Sequence, residues 1–118
     1  MVDTRKFNCP CCSFPTLSER SAYDICTICW WEDDGQDEVS KDEVWGGPNG
    51  KYSLSNARLN FEDHGHMYDS LKGIEVVEKP SAARRQLLNY VDRVSRKEII
   101  LEPEKLNCLV ENQRSANA

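Results

Sequence analysis

Two cysteine pairs near the N-terminus have the spacing of a metal site. Cys9 and Cys12 form one C-x2-C pair, Cys26 and Cys29 form a second, and thirteen residues separate the pairs. A gap of two residues lets a tight turn direct both thiolates at one ion, while amide groups of the turn donate hydrogen bonds to the sulfurs. The pattern predicts a closed, structural four-thiolate site of the zinc-ribbon type.

The ligand set favours Zn²⁺, and iron held by the same four thiolates, as in rubredoxin-like sites, is the alternative. A redox C-x-x-C role is less favoured, because such motifs usually come singly and in a βαβ context that this chain lacks. Cys11 is a surplus thiol in the first turn and could compete with Cys12 as a ligand, although the two-residue gap favours Cys12. Cys108 is interpreted as a small buried hydrophobe.

An acidic segment, Glu32 to Glu38, follows the second cysteine pair and has no basic residue within it. It carries five negative charges, and the formal net charge of the whole chain is -5, so the rest of the chain is close to neutral and the acidity is concentrated in this segment. Such a patch repels nucleic acid and attracts basic protein surfaces, and tryptophan is enriched where binding energy concentrates. The residues predicted to bind a partner are Trp31, Glu32, Asp33, Asp34, Asp37, Glu38 and Trp45.

Two adjacent tryptophans, Trp30 and Trp31, link the cysteines to the acids. If this segment is a strand, alternate side chains point to opposite faces. One of the two rings would then cover the metal site and the other would face away, and the sequence leaves open which does so. Core packing is expected for one of them, since tryptophan is also a common core residue.

No catalytic residue is predicted, and we expect a non-enzymatic protein. The acidic segment fails as an EF-hand loop on both sides of Gly35. His64 and His66 flank Gly65 and are interpreted as residues at a helix end rather than metal ligands. The sequence shows no Ser-His-Asp or Cys-His constellation.

Helical periodicity begins after residue 52. Apolar positions recur from Leu54 at helical spacing, with Ser53 as N-cap and Gly65 as the stop. Residues 73–80 have a β-branched centre that predicts a strand. A second helix is predicted to begin at Pro80 or Ser81 and to end before Pro103, with its arginines on a solvated face.

The expected fold class is therefore α+β, a small zinc-ribbon-like β-hairpin module followed by two helices. The 118 residues predict a single domain. Within it we expect a four-cysteine ribbon with an acidic and glycine-rich loop over 1–51, a helical part over 52–108 and a flexible tail over 109–118. No apolar run is long enough to span a membrane and no secretory signal is present, so we expect a cytoplasmic protein.

Three ordered blocks of the chain, from Cys9 to Phe61, resemble the bacterial cysteine-rich CPCC family. They are CPCC, Y-x-I-C-x-x-C-x-W-E-D-D-G-Q-D and G-G-P-N-x-x-x-S-L-x-x-A-R. Ser13 stands where such knuckles often have glycine. The resemblance implies zinc binding without an assigned reaction. For some members it also implies immunity to secreted polymorphic toxins, of which an ADP-ribosylating toxin is one example.

The leading hypothesis is a zinc-binding immunity protein that binds a cognate toxin and blocks its active site. Opposite charge would speed association with a basic cleft, and Trp31 or Trp45 would anchor the complex. One alternative is a nucleic-acid- or transcription-associated zinc ribbon that binds through residues 84–97, although the net charge opposes it. The other is a rubredoxin-like iron electron carrier.

Overall fold

The computed structural model describes residues 6–69 and 75–116. The chain divides into two compact units, Met1–Asp69 and Ser70–Ala118. The first unit contains a two-stranded antiparallel hairpin and one helix, and the second is helical. The α+β class is confirmed, whereas the single domain over 1–118 stays a prediction.

The hairpin of the first unit surrounds the first cysteine pair. Strand β1 (Phe7–Asn8) pairs with β2 (Pro15–Leu17), with Phe7 opposite Leu17, and the cysteines lie in the connecting turn. The second pair has no flanking strands of this kind. An isolated bridge between Ile25 and Glu32 encloses it, together with backbone hydrogen bonds of Asp33 with Tyr23 and Asp24. Turns and a 3-10 helix, Gly47–Asn49, occupy most of the chain as far as the first α-helix.

Helix α1 (Leu54–His64) confirms the predicted boundaries. The Ser53 hydroxyl accepts a hydrogen bond from the Asn56 backbone N–H at 3.1 Å, which satisfies one of the free amides of the first turn. Gly65 ends the helix in the left-handed conformation, with φ of 78°. The caps therefore act as their residue types predict.

The second unit contains a single-turn helix α2 (Glu75–Glu78) and two longer helices, α3 (Ala82–Ser95) and α4 (Pro103–Ala116). The strand predicted over 73–80 is wrong at residues 75–78, which form α2, and residues 73 and 74 lie outside the described residues. Ser81 caps α3 as predicted. The described residues thus form three longer helices where two were expected, because α4 begins at Pro103, beyond the predicted end of the second helix, and extends into the expected tail.

Helix α4 and the side of α3 that faces it correct two predictions. The flexible tail expected over 109–118 is wrong as far as Ala116, where α4 continues. Arg84, placed on a solvated face by the sequence, is only 2% exposed, and its Nη1 donates to Gln113 Oε1 at 2.7 Å. This buried hydrogen bond connects the polar end of α4 to α3. The polar composition of that segment does not predict such a contact. No helix in the described residues has the length and apolar character needed to cross a membrane.

Candidate metal centre

The two cysteine pairs lie in two turns of the same backbone design, the first knuckle (Cys9–Phe14) and the second knuckle (Cys26–Trp31). In both, the N–H of the first cysteine donates to the carbonyl oxygen of the sixth residue at 2.9 Å. The N–H of the fifth residue donates to the first cysteine's carbonyl oxygen, at 2.8 Å in the first knuckle and 3.0 Å in the second. The N–H of the third residue approaches the first cysteine's sulfur at 3.4 Å in each.

The fifth residue of each knuckle adopts the left-handed conformation. Ser13 has φ of 71° and Trp30 has φ of 70°, a conformation that costs about 1–2 kcal/mol for a residue with a Cβ. Ser13 therefore keeps the turn even though glycine is common at this point. The strand alternation expected for Trp30 and Trp31 is wrong, because a left-handed residue interrupts an extended segment. Trp31 is the fully buried ring, which agrees with the core packing expected for one of the two, and Trp30 is half-buried.

The two knuckles bring four buried sulfurs together. The Sγ atoms of Cys9, Cys12, Cys26 and Cys29 all lie within 4.8 Å of one another. Cys9 Sγ is 3.6 Å from Cys29 Sγ, and Cys12 Sγ is 3.6 Å from Cys26 Sγ. A tetrahedral site with Zn–S bonds of about 2.3 Å places its sulfurs about 3.8 Å apart. The four cysteines predicted as ligands are thus positioned to hold a metal ion, and four thiolates suit zinc and iron alike.

The thiols of this cluster titrate far from their ordinary range. Burial raises the pKa of Cys12 and of Cys29 well above the usual value. Burial also acts to raise the pKa of Cys26, but hydrogen bonds from Cys12, Cys29 and Cys9 and from the Thr16 hydroxyl outweigh it and hold that pKa well below the usual value. A bound cation would take the place of thiol protons in this cluster.

Contacts around the sulfurs differ between the two pairs. Thr16 Oγ1 donates to Cys26 Sγ at 3.0 Å, a bond that joins β2 to the second knuckle. Cys11 is buried inside the first knuckle and is not one of the four clustered ligands. Cys108 is exposed, so its interpretation as a buried hydrophobe is wrong. It lies on α4, a helix that the sequence did not predict.

Several side chains of the acidic segment are buried or half-buried and form hydrogen bonds within the first unit. Asp33 is fully buried, and its Oδ2 accepts from Arg20 Nε at 2.9 Å and from the Ser21 N–H at 2.7 Å. Its Oδ1 accepts from the Gly35 N–H at 3.3 Å. The Asp33 carboxylate is used to close the loop and is not accessible, so the partner role predicted for it stays a prediction. The same applies to Trp31, whose side chain has no exposed surface.

Asn49 connects the glycine-rich turn to the acids and was missed by the sequence reasoning. Its Nδ2 donates to the Glu32 carbonyl oxygen at 2.7 Å and lies 3.3 Å from Asp34 Oδ2, and its Oδ1 accepts from the Glu32 N–H at 3.1 Å. The block G-G-P-N was the available signal, but it indicated only a turn. Glu32 and Asp34 are accordingly half-buried.

Further along the loop, Gln36 is buried and its Nε2 donates to the carbonyl oxygens of Ser40 and Glu43, at 2.9 and 2.7 Å. Glu38 is exposed and pairs with Arg58 Nη2 at 2.6 Å, and the bond from Arg58 lowers the pKa of Glu38. Of the residues predicted to bind a partner, those that remain well exposed are Asp37, Glu38 and Trp45.

An aromatic group packs on the second knuckle. Trp30 stacks on His66 with ring centroids 5.5 Å apart and planes 9° apart, and His66 stacks on His64 at 5.6 Å. The Met67 N–H donates to the Cys29 carbonyl oxygen at 2.9 Å, which holds the segment after α1 against the knuckle. His64 is the last residue of α1, as expected for a helix end. Within the described residues, the four cysteines form the one group positioned to hold a metal.

Comparison with protein families gives a match to the family described as Cysteine-rich CPCC over residues 7–83. The match covers both knuckles, the acidic segment and all of α1. Comparison with curated proteins and with solved structures gives no match.

Proposed function

Because the chain belongs to the cysteine-rich CPCC family, we propose that it is a non-enzymatic Zn²⁺-binding protein in which the metal is structural. The observation that carries this proposal is the cluster of four buried sulfurs, all supplied by the protein. Such a ligand set leaves no open position for water or substrate, so the metal stabilises the fold and does not activate a reactant. The ion would join two knuckles whose cysteines are at most twenty residues apart in sequence, the separation of Cys9 and Cys29.

The metal proposal is tested on the intact chain by mass spectrometry under non-denaturing conditions. We expect one zinc ion per chain, and none in Cys26→Ser. Ser18→Ala, an exposed change near β2, is the control that should retain the ion. A metal-free chain with full native structure would contradict the proposal. Purified protein that is red and redox-active would identify iron and favour the electron carrier.

We further propose that this protein is a cytoplasmic immunity protein that binds a cognate secreted bacterial toxin and blocks its active site, with an ADP-ribosyltransferase as one example of such a toxin. The resemblance of its motifs to the family supports this role. The charge of the chain supports it also, because a net charge of -5 favours a basic partner. Buried free thiols suit a reducing compartment.

The exposed part of the acidic loop is the proposed partner surface. Asp37, Glu38 and the Trp45 ring, which is 48% exposed, are accessible, and Glu32 and Asp34 are partly so. Trp31 and Asp33 are supports beneath this surface. Charged groups at such a surface steer association, and an accessible tryptophan provides apolar contact area.

Co-expression with the product of the adjacent gene, followed by co-purification, tests whether a partner exists. Asp37→Lys should slow association and reduce its salt dependence, and Trp45→Ala should speed dissociation. Glu62→Lys and Asp63→Lys change exposed acids of α1 and are the matched controls. A complex that forms at the same rate in Asp37→Lys and in the controls would contradict steering by this loop.

The structure favours the nucleic-acid alternative less than the sequence did. Arg84 is buried, and Arg96 pairs with Asp92 at 3.1 Å and with Glu98 at 3.8 Å. A salt-sensitive gel shift with Arg85→Glu as the comparison would still detect such binding, since Arg85 is exposed.

A further inference from the structure

A cavity of about 240 Å³ lies in the first unit beside α1, and no cysteine lines it. Its lining is polar and nearly uncharged in sum, with one lysine, one aspartate, one tyrosine and two asparagines. The lining residues are Lys51, Tyr52, Asn56, Asn60 and Asp69. Neither the metal site nor the proposed partner surface uses any of them.

One lysine that lines this cavity lies close to both a carboxylate and an aromatic ring. Lys51 Nζ lies 3.1 Å from Asp69 Oδ2 and 5.4 Å from the centroid of the Tyr52 ring. A carboxylate together with the face of an aromatic ring is the pair of groups that proteins use to bind ammonium and guanidinium ions. The Lys51 side chain is 72% exposed, so it can leave without disturbing packed residues.

The two groups that contact the lysine have further contacts of their own. Tyr52 Oη donates to Asp69 Oδ1 at 2.8 Å, and the Asp69 N–H approaches Tyr52 Oη at 3.3 Å. Tyr68 meets the Tyr52 ring edge-on, with centroids 5.6 Å apart. The carboxylate and the ring are therefore preorganised, which lowers the entropy lost when a ligand binds.

We propose that Asp69 and Tyr52 form a recognition site for a guanidinium group, and that Lys51 occupies this site until such a ligand displaces it. Guanidinium fits better than ammonium, because its planar fork can stack on the ring while it donates several hydrogen bonds. Asn60 also lines the cavity, and its Nδ2 donates to the Met67 carbonyl oxygen at 2.8 Å.

The shared chemistry allows two sources of the ligand, an arginine side chain of a protein partner or a free arginine-like metabolite. An arginine side chain would agree with the basic partner proposed above, but the site itself does not depend on a toxin being that partner. Failure of the toxin proposal would leave guanidinium binding intact, and failure of guanidinium binding would leave metal binding and toxin binding intact.

The test is a titration of the zinc-loaded, full-length protein, followed through backbone amide shifts of Tyr52, Asn60 and Asp69 by nuclear magnetic resonance. The probes are N-acetyl-arginine N-methylamide, free L-arginine and the neutral N-acetyl-leucine N-methylamide. We expect the capped arginine to bind and the leucine probe to give no shift. Binding of both arginine probes alike indicates a side-chain site, and preference for free arginine indicates a metabolite site.

Lys51→Met supplies the decisive variant, because it keeps an unbranched side chain but removes the competing charge. Its affinity for the capped arginine should rise about two- to fivefold, the range expected for an exposed ion pair. Lys105→Met is the matched control, since Lys105 Nζ also lies over a tyrosine, 5.5 Å from the Tyr90 ring centroid, in the second unit. It should leave the affinity unchanged.

Asp69→Asn should remove most of the binding, and Tyr52→Leu should weaken it while leaving the carboxylate in place. Zinc content and amide shifts of the knuckles report whether each variant is folded. Unchanged or weaker binding in Lys51→Met would overturn the displacement. Absence of binding in both the natural protein and Lys51→Met, or full binding in Asp69→Asn, would overturn the site.

Discussion

The first knuckle is held by the two strands that flank it and by one hydrogen bond from α1, in which Arg58 Nε donates to the Pro10 carbonyl oxygen at 2.9 Å. The second knuckle is held by segments from three other places in the chain. Strands β1 and β2 flank Cys9–Phe14 directly. The second knuckle instead contacts Thr16 of β2, and Met67 beyond α1 donates to its Cys29 carbonyl oxygen. Asn49 bonds to Glu32, the residue that follows the knuckle. Equal backbone geometry therefore does not mean equal dependence on the rest of the fold.

This difference suggests that the first knuckle can form its turn early and that the second completes the site. Local turns need little loop closure, while contacts over longer separations require more of the chain to be ordered first. A metal ion would couple the two, because each knuckle supplies only two of the four ligands. The variants below test how far the two knuckles are equivalent.

Loss of a ligand should have the largest effect and should be the same on both sides of the site. Cys9→Ser and Cys26→Ser occupy corresponding positions and should each abolish metal binding, which is worth about 10–16 kcal/mol for structural zinc. Zinc content and circular dichroism of the purified variants provide the measurement. Retention of metal in one variant alone would show that the knuckles are not equivalent as ligands.

Removal of the buried ring that ends each knuckle should be the next largest effect. Trp31→Ala and Phe14→Ala should each destabilise the protein by about 3–5 kcal/mol through lost burial and a cavity. Trp31→Ala should destabilise the protein more than Phe14→Ala, because Trp31 is larger and has no exposed surface. Denaturant unfolding of the zinc-loaded protein measures both, with exposed Trp45→Ala as the control. A greater loss for Phe14→Ala would reverse the proposed order.

The loop beyond the second knuckle should depend strongly on one carboxylate. Asp33→Ala leaves the Ser21 N–H and Arg20 Nε without their acceptor and should destabilise the protein by about 1–3 kcal/mol. Asp37→Ala removes an exposed carboxylate from the same loop and should change stability far less. Equal losses of stability in Asp33→Ala and Asp37→Ala would mean that the buried hydrogen bonds of Asp33 contribute no more than an exposed carboxylate does.

The hydroxyl bond from β2 to the second knuckle should tune the metal site without deciding the fold. Thr16→Val removes the donor to Cys26 Sγ and should weaken zinc affinity about tenfold, as for other groups that support metal ligands. Competition with a coloured chelator measures the affinity, and Thr16→Ser should restore it. Equal zinc affinities of Thr16→Val and Thr16→Ser would show that the hydroxyl bond to Cys26 Sγ does not support the metal site.

The left-handed residue should give the smallest effect, with opposite signs in the two knuckles. Ser13 is exposed, so Ser13→Gly should relieve backbone strain and stabilise the protein by up to about 1 kcal/mol. Trp30→Gly relieves the same strain but removes the stack on His66, and it should destabilise. Paired unfolding curves decide the sign, and stabilisation by both changes would show that the stack contributes little.

Local chemistry was enough to predict the ligands and the first helix. The C-x2-C spacing depends on a turn of six residues, and the α1 boundaries depend on Ser53 and Gly65, so all the information lies within a few residues. The roles of Trp31 and Asp33 could not be predicted in the same way. They depend on Arg20, Ser21 and other groups that no local pattern connects to them.

The second unit shows the same limit. Arg84 looked like a solvated arginine because charged residues are seldom buried, and burial here depends on Gln113 supplying an acceptor from another helix. The polar end of the chain looked like a tail because composition alone does not show such a partner. Helix α2 replaced a predicted strand, since β-branched residues favour strands only where a neighbouring strand exists to pair with them.

The sequence by itself determined the four thiol ligands and the capped helix that follows them. Each of these follows from backbone sterics and hydrogen bonding over a few residues. Only the tertiary structure decided which tryptophan is buried, which acids are used internally, and that Lys51, Tyr52 and Asp69 meet beside α1. Those outcomes depend on distances between residues far apart in the chain, and packing of the whole unit sets those distances.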